Sequence, residues 1–104
     1  MNAGRDWVAR HLADAPPELL DAMLRAIPES PEPDPSRALA LGAIALYSRV
    51  ARGTGGREDA LPLLAADALL THAFEAKAME DPTGVQAFAL EIGAGGMLGA
   101  VEVA

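Results

Sequence analysis

The sequence contains no cysteine and has few aromatic side chains. The absence of cysteine excludes disulfides, thiolate nucleophiles and cysteine-based zinc sites, and it fits a cytoplasmic protein. Aromatic residues are 4% of the chain, and alanine and leucine dominate an apolar fraction of 51%. This mixture, with few β-branched residues, favours helices that pack closely through small side chains over a β-sheet.

Basic residues are scarce as well, with eight Lys and Arg against fifteen Asp and Glu and a net charge of −7. Such a surface repels nucleic acids and anionic membranes, which argues against a role in binding either. Lys77 is the only lysine in the sequence, and this preference for arginine is typical of a GC-rich bacterial genome.

Long uncharged apolar runs are also missing. The longest, near Ala38–Ser48 and Ile92–Val101, reach about half of the ~20 residues that a membrane span needs. The first residues, MNAGRDW, have neither the basic nor the apolar region of a signal peptide. We therefore expect one small cytoplasmic domain over residues 1–104, with no membrane span.

What the chain has in quantity is apolar residues at helical spacing, separated by proline and glycine. This pattern predicts an all-α bundle of four main helices, with short helical pieces towards the C-terminus. Prolines fit in the first turns of these helices, and glycines end them. The predicted helices are Arg5–Ala13, Glu18–Ile27, Ser36–Arg52, Ala60–Glu80, Val85–Ile92 and Met97–Val103.

The segment Pro28–Pro35 has four prolines and three acidic residues in eight positions. It predicts an extended, solvated strap that links two helices, with a proline-rich motif for a partner as the alternative. Asp34, followed by a proline, is the predicted N-cap of the third helix, and Asp59 that of the fourth. Gly42 in the third helix would permit close helix approach.

The fourth helix, ALPLLAADALLTHAFEAKAM, is apolar on nearly every side, with a thin polar seam. A helix of this kind must be surrounded by other helices or by a partner chain. In the later segment GAGGMLGAV, a methionine and a leucine could line a pocket, but tight packing is favoured. The predicted core or dimer-seam residues are Leu63, Leu64, Leu70, Phe74, Met97 and Leu98.

Polar residues of the fourth helix form a possible site. Asp67, Thr71 and Glu75 share one face, and His72 neighbours Glu75 at i+3. A metal site in a bundle needs ligands from several helices, so a solvated or interface stripe is the favoured interpretation. The sequence offers no serine or cysteine in a nucleophile setting that His72 could activate as a general base, so a partly buried, hydrogen-bonded histidine is expected. We predict no catalytic residue, no cofactor and no metal.

Arg49, Arg52 and Arg57 flank the loop GTGG and are the candidate anion contacts. Backbone N–H groups of a glycine-rich loop before a helix can cradle a phosphate, and arginines strengthen such a site. However, the Walker pattern is absent, and Glu58 and Asp59 sit where the anion would dock. A flexible connector whose arginines pair with carboxylates is therefore the favoured interpretation.

Three segments resemble the trans-isoprenyl diphosphate synthases. AADALLTHAFEAKA (Ala65–Ala78) resembles their GDALLTLAFELLA helix, GAGGMLG (Gly93–Gly99) resembles GARGMVGGQ, and PPELLDAM (Pro16–Met23) resembles PxxLxEAMRY. In an alternative register, the fourth helix resembles the family's ALPLAAALELIHTASLIHDD helix and places Glu80–Asp81 at its first aspartate pair. The resemblance implies an isoprenoid-synthase-like helical fold whose subunits pair through helices of this region.

The family's functional motifs do not carry over to this chain. The basic stretch GGKRLRP is replaced by the acidic IPESPEPDPSR, no DDxxD motif occurs, and Val101 stands at the glutamine of GGQ. Magnesium and diphosphate binding depends on those residues. The resemblance therefore implies a truncated, non-catalytic relative that self-associates as a homodimer or binds a protein partner. The alternatives are a helper subunit of a prenyl diphosphate synthase, or a binder of a prenyl or phosphate ligand.

Overall fold

In the computed structural model, which describes residues 2–93 and 96–100, five α-helices are joined by short turns. No strand occurs within these residues, so the predicted all-α class is confirmed. Each helix lies within about two residues of its predicted bounds. The helices are α1 (Ala3–His11), α2 (Pro17–Ala26), α3 (Pro35–Ala51), α4 (Ala60–Glu80) and α5 (Val85–Ile92).

The prediction of four main helices with short additions was wrong about the last helix. Helix α5 belongs to the core, because Phe88 and Ile92 are buried and the Phe88 ring meets the Phe74 ring edge-on at 5.1 Å. An eight-residue helix is marginal alone, so packing stabilises it. Of the predicted piece Met97–Val103, a 3₁₀ turn forms at Leu98–Ala100, and residues 101–103 lie outside the described part.

Helix α4 occupies the centre and packs along α3, with further contacts to α2 and α5. Most side chains buried along α3 and α4 are small, which lets the two backbones approach closely. Gly42 serves this approach as predicted, because a Cβ atom there would lie 3.1 Å from Leu69 Cδ1 and 3.3 Å from Ile27 Cγ1. The buried alanines of the two helices are Ala38, Ala40, Ala43, Ala65, Ala66, Ala73 and Ala76.

Of the two predicted N-caps, Asp34 is confirmed and Asp59 is wrong. Asp34 caps α3, since its carboxylate accepts the Ser36 N–H at 3.0 Å and Pro35 opens the helix. Asp59 does not cap α4, because its own backbone is already helical and its side chain accepts the Gly55 N–H at 2.9 Å instead. A 3₁₀ turn, Arg57–Asp59, leads directly into α4, so the chain needs no extended capping residue there.

Residues 28–34 of the predicted strap are not helical, Pro35 already belongs to α3, and the strap is fastened to the start of α1. The Asn2 side-chain amide donates to the carbonyl oxygens of Pro28 at 2.8 Å and Ser30 at 3.1 Å. The Ala3 N–H donates to the Glu32 carbonyl at 2.9 Å. These bonds hold the strap along α1 and bring α1 and α3 together at one end of the domain.

Candidate functional site

Three leucines near the start of α4 are exposed to solvent. Leu61, Leu63 and Leu64 are 38%, 42% and 55% exposed, whereas several alanines of the same helix are buried. We call these three residues the leucine patch. Two of them, Leu63 and Leu64, were predicted as core or dimer-seam residues, and the structure places them at the surface, outside the core.

The other four predicted core or seam residues pack against the core. Leu70 and Phe74 of α4 are half-buried, as are Met97 and Leu98 after α5. Their contacts are with buried side chains of the same chain, such as Phe88 beside Phe74. The six predicted residues therefore divide into an exposed pair at the start of α4 and a half-buried group of four.

A cleft of about 320 Å³ lies beside the leucine patch, between α2, the C-terminal end of α3 and the start of α4. Leu61 belongs to the patch and also lines the cleft, together with apolar atoms of Leu46 and Pro62. Both acidic and basic side chains line the cleft, so a bound anion would meet carboxylates as well as arginines. The charged residues that line it are Glu18, Asp21, Arg25, Arg49 and Glu58.

The fold places only one of the three candidate anion-binding arginines in the cleft. Arg49 lines the cleft, whereas Arg52 and Arg57 are exposed and do not line it. Within residues 2–93 and 96–100, none of the three forms an ion pair; the pairs found there involve Arg25, Arg37 and His72. The predicted pairing of these three arginines with carboxylates is thus not observed in the described part of the chain.

The glycine-rich loop binds the chain's own acidic side chains. The Gly55 N–H donates to Asp59, and the Thr54 hydroxyl donates to Glu58 at 2.7 Å. This hydroxyl holds the pKa of the Glu58 carboxyl below its usual value. Because carboxylates occupy the donors that a phosphate would need, the loop is a poor anion cradle, in line with the acidic residues noted in its sequence.

The polar stripe of α4 is solvated, and its first member bonds to α3. Asp67, Thr71 and Glu75 are exposed, and Asp67 accepts a hydrogen bond from the Tyr47 hydroxyl. Burial, the hydrogen bond to Asp67 and the negative charge of Asp67, in that order of size, together raise the pKa of Tyr47 to about 12. Nothing in the local spacing of either residue indicated this pair, because it depends on how α3 and α4 meet.

Titration of the single tyrosine tests this bond. We expect tyrosinate absorbance to appear with a midpoint of about 12, compared with about 10 for a free tyrosine. Since the pKa is higher in the folded chain, the stabilisation is fully present below pH about 10 and is lost as the pH rises through the folded value. Asp67→Asn should lower the midpoint part of the way, and Glu75→Gln should leave it unchanged. A wild-type midpoint near 10 would contradict the bond.

Both histidines of the chain lie beside Trp7, although they come from distant parts of the sequence. The His11 ring centroid is 4.4 Å from that of Trp7, and the His72 centroid is 5.8 Å away on the α4 side. His72 is half-buried, and its Nδ1 atom lies 2.9 Å from a Glu75 carboxylate oxygen. The expectation of a partly buried, hydrogen-bonded histidine is met, and its neighbour Trp7 was missed because only the tertiary fold brings α1 to α4.

In the described part of the chain, no three His, Asp or Glu side chains are grouped so as to hold a metal ion. No helix of residues 2–93 and 96–100 combines the length and the hydropathy that a bilayer span requires.

Comparison with known proteins adds no relative. No protein-family model, no curated protein and no solved structure matches this chain. The three segments that resemble isoprenyl diphosphate synthases therefore stay a hypothesis about descent, and the candidate site must be interpreted from its own geometry.

Proposed function

We propose that this protein acts through protein contact, by self-association over the leucine patch, and that it is non-catalytic. The observation that carries the proposal is the exposure of three leucines at the start of α4, of which Leu61 and Leu64 share one helix face and Leu63 lies about 100° round the helix from Leu64. Burying apolar surface is the main driving force of most protein association, and contiguous apolar patches mark interaction sites. In the described part of the chain the other large exposed apolar residues are Met79 near the end of α4 and Leu90 in α5, which stand singly, as is ordinary for a surface.

Several acidic groups outside the cleft are engaged by hydrogen-bond donors of the same chain. Asp67 accepts from Tyr47, Glu75 pairs with His72, and Asp59 accepts from the glycine-rich loop. These groups stabilise helix contacts and turns, and they do not converge on a common point in a cleft. This arrangement supports a structural role for them and an interaction role for the protein.

Two alternatives use the same region. A helper subunit of a prenyl diphosphate synthase would place the leucine patch against a different chain, and this agrees with the resemblance of α4 to those enzymes. A prenyl or phosphate ligand would occupy the cleft, with its apolar part on Leu46 and Pro62 and its anion near Arg49. Three carboxylates that line the same cleft oppose an anionic ligand, so we favour self-association.

Light scattering over a concentration series tests the proposal. The wild-type protein should approach twice the monomer mass, and Leu64→Glu should weaken dimerisation by about tenfold or more, because the charge would have to be desolvated. Leu90→Glu is the matched control, since Leu90 is 74% exposed on α5 and should behave as wild type. A wild-type monomer at all concentrations would contradict self-association, and an equal effect of both variants would contradict the leucine patch.

A further inference from the structure

We infer that the occupant of the leucine patch is a second copy of this chain, in a two-fold contact that pairs the arginines around the patch with the partner's carboxylates. This inference rests on the proposed self-association and names its partner and its electrostatics. We call the charged residues around the patch the charged rim. The rim comprises four basic and four acidic residues: Arg25, Arg49, Arg52, Arg57, Glu18, Asp21, Glu58 and Asp59.

The charged rim lies at one end of the domain, next to the leucines. Arg52 ends α3, the 3₁₀ turn Arg57–Asp59 precedes α4 directly, and Leu61 follows Arg57 by one helical turn. Arg49, Glu18 and the Asp21–Arg25 pair line the cleft that Leu61 also lines. The rim thus borders Leu61 of the leucine patch on the side of α2 and α3.

The charged rim is electrically balanced, and Asp67, which lies one helical turn after Leu63 and Leu64, brings this region to a net charge of −1, whereas the chain as a whole is strongly acidic. Four basic and four acidic residues cancel, so the remaining four basic and eleven acidic residues account for the whole net charge of −7. Two copies of an acidic protein repel each other over most of their surfaces. The repulsion is smallest when the balanced ends face each other, and these are the ends that carry the exposed leucines.

Two-fold symmetry makes a rim of mixed sign complementary to itself. In such a contact the same surface patch is used by both copies, so a basic group of one can meet an acidic group of the other. Within the described residues Arg49, Arg52 and Arg57 have no ion-pair partner in their own chain. They are exposed, as are Glu18 and Glu58, and so are available to the second copy.

Charge reversal on the rim tests the pairing. An acidic variant carries Arg49→Glu, Arg52→Glu and Arg57→Glu, and a basic variant carries Glu18→Arg, Asp21→Arg and Glu58→Arg. Each variant alone should dimerise at least about tenfold more weakly than wild type, because like charges would face each other. An equimolar mixture should restore a dimer of one acidic and one basic chain, detected by native mass spectrometry.

A third variant separates this pairing from general attraction between oppositely charged proteins. Asp6→Arg, Glu29→Arg and Glu80→Arg change exposed residues that lie outside the cleft and the charged rim, and they produce the same net charge as the basic variant. This control should dimerise with itself as wild type does, and it should not form mixed dimers with the acidic variant. Far-UV circular dichroism verifies that the variants are folded, and if a triple variant loses helicity, Arg52→Glu and Glu18→Arg replace it.

The outcomes separate this inference from the proposed function. If Leu64→Glu weakens dimerisation but the acidic and basic variants each dimerise as well as wild type, the charge pairing is overturned and self-association stays in place. Mixed dimers that form equally well with the control variant would also overturn it. A wild-type monomer would remove both proposals together, and a mixture that recovers the dimer only with the basic variant would support both.

Discussion

Leu69→Ala is expected to lower the free energy of unfolding by about 3–5 kcal/mol, the upper part of the range for a buried leucine. Leu69 is fully buried in α4 and lies against Gly42 of α3, where a Cβ atom would be 3.1 Å from its Cδ1 atom. Many of the buried neighbours on these helices are alanines, whose short side chains cannot move in to fill a cavity. Because a domain of this size has only about 5–15 kcal/mol in total, one substitution would remove a large share of its stability.

Urea unfolding followed by far-UV circular dichroism measures this loss. Leu90→Ala is the control, because Leu90 is 74% exposed and lies outside the leucine patch. Its stability should stay within about 0.5 kcal/mol of wild type, as is usual for surface substitutions. A loss below about 1 kcal/mol for Leu69→Ala would show that the contact between α3 and α4 can collapse around the missing atoms, contrary to the packing described above.

Asn2→Ala is expected to cost about 2–4 kcal/mol, since one buried side chain serves both α1 and the strap. Its oxygen accepts the N–H groups of Gly4 at 2.8 Å and Arg5 at 3.2 Å, which caps α1. Its amide donates to carbonyl oxygens of the strap, at Pro28 and Ser30. Alanine would leave both sets of groups without this partner, and the loss of a cap alone costs about 0.5–2 kcal/mol.

Asn2→Ser separates the two roles. A serine oxygen can still accept from the first N–H groups of α1, but it has no amide to donate to the strap. We therefore expect Asn2→Ser to fall between wild type and Asn2→Ala in urea unfolding. If serine equals wild type, the strap bonds contribute nothing, and if serine equals alanine, the cap contributes nothing.

Helix positions were largely predictable because they depend on local chemistry. Val85–Ile92 agrees with its predicted bounds, and the strap is where four prolines and the lack of apolar spacing place it. The cap at Asp34 was also predictable, since an aspartate followed by proline satisfies the start of a helix by itself. The cap expected at Asp59 failed because a neighbouring 3₁₀ turn, which has no clear sequence signal, continues directly into α4.

The sequence by itself determined the all-helical class, the order of the helices and the apolar character of α4, because these follow from the spacing and type of neighbouring residues. Only the tertiary structure decided which sides of α4 are covered: Leu69 is buried and Leu64 is exposed in the same helix. It also decided the pair of Tyr47 with Asp67 and the position of His72 at Trp7. Such contacts join residues far apart in the chain, and helix packing sets them in ways that local periodicity does not record.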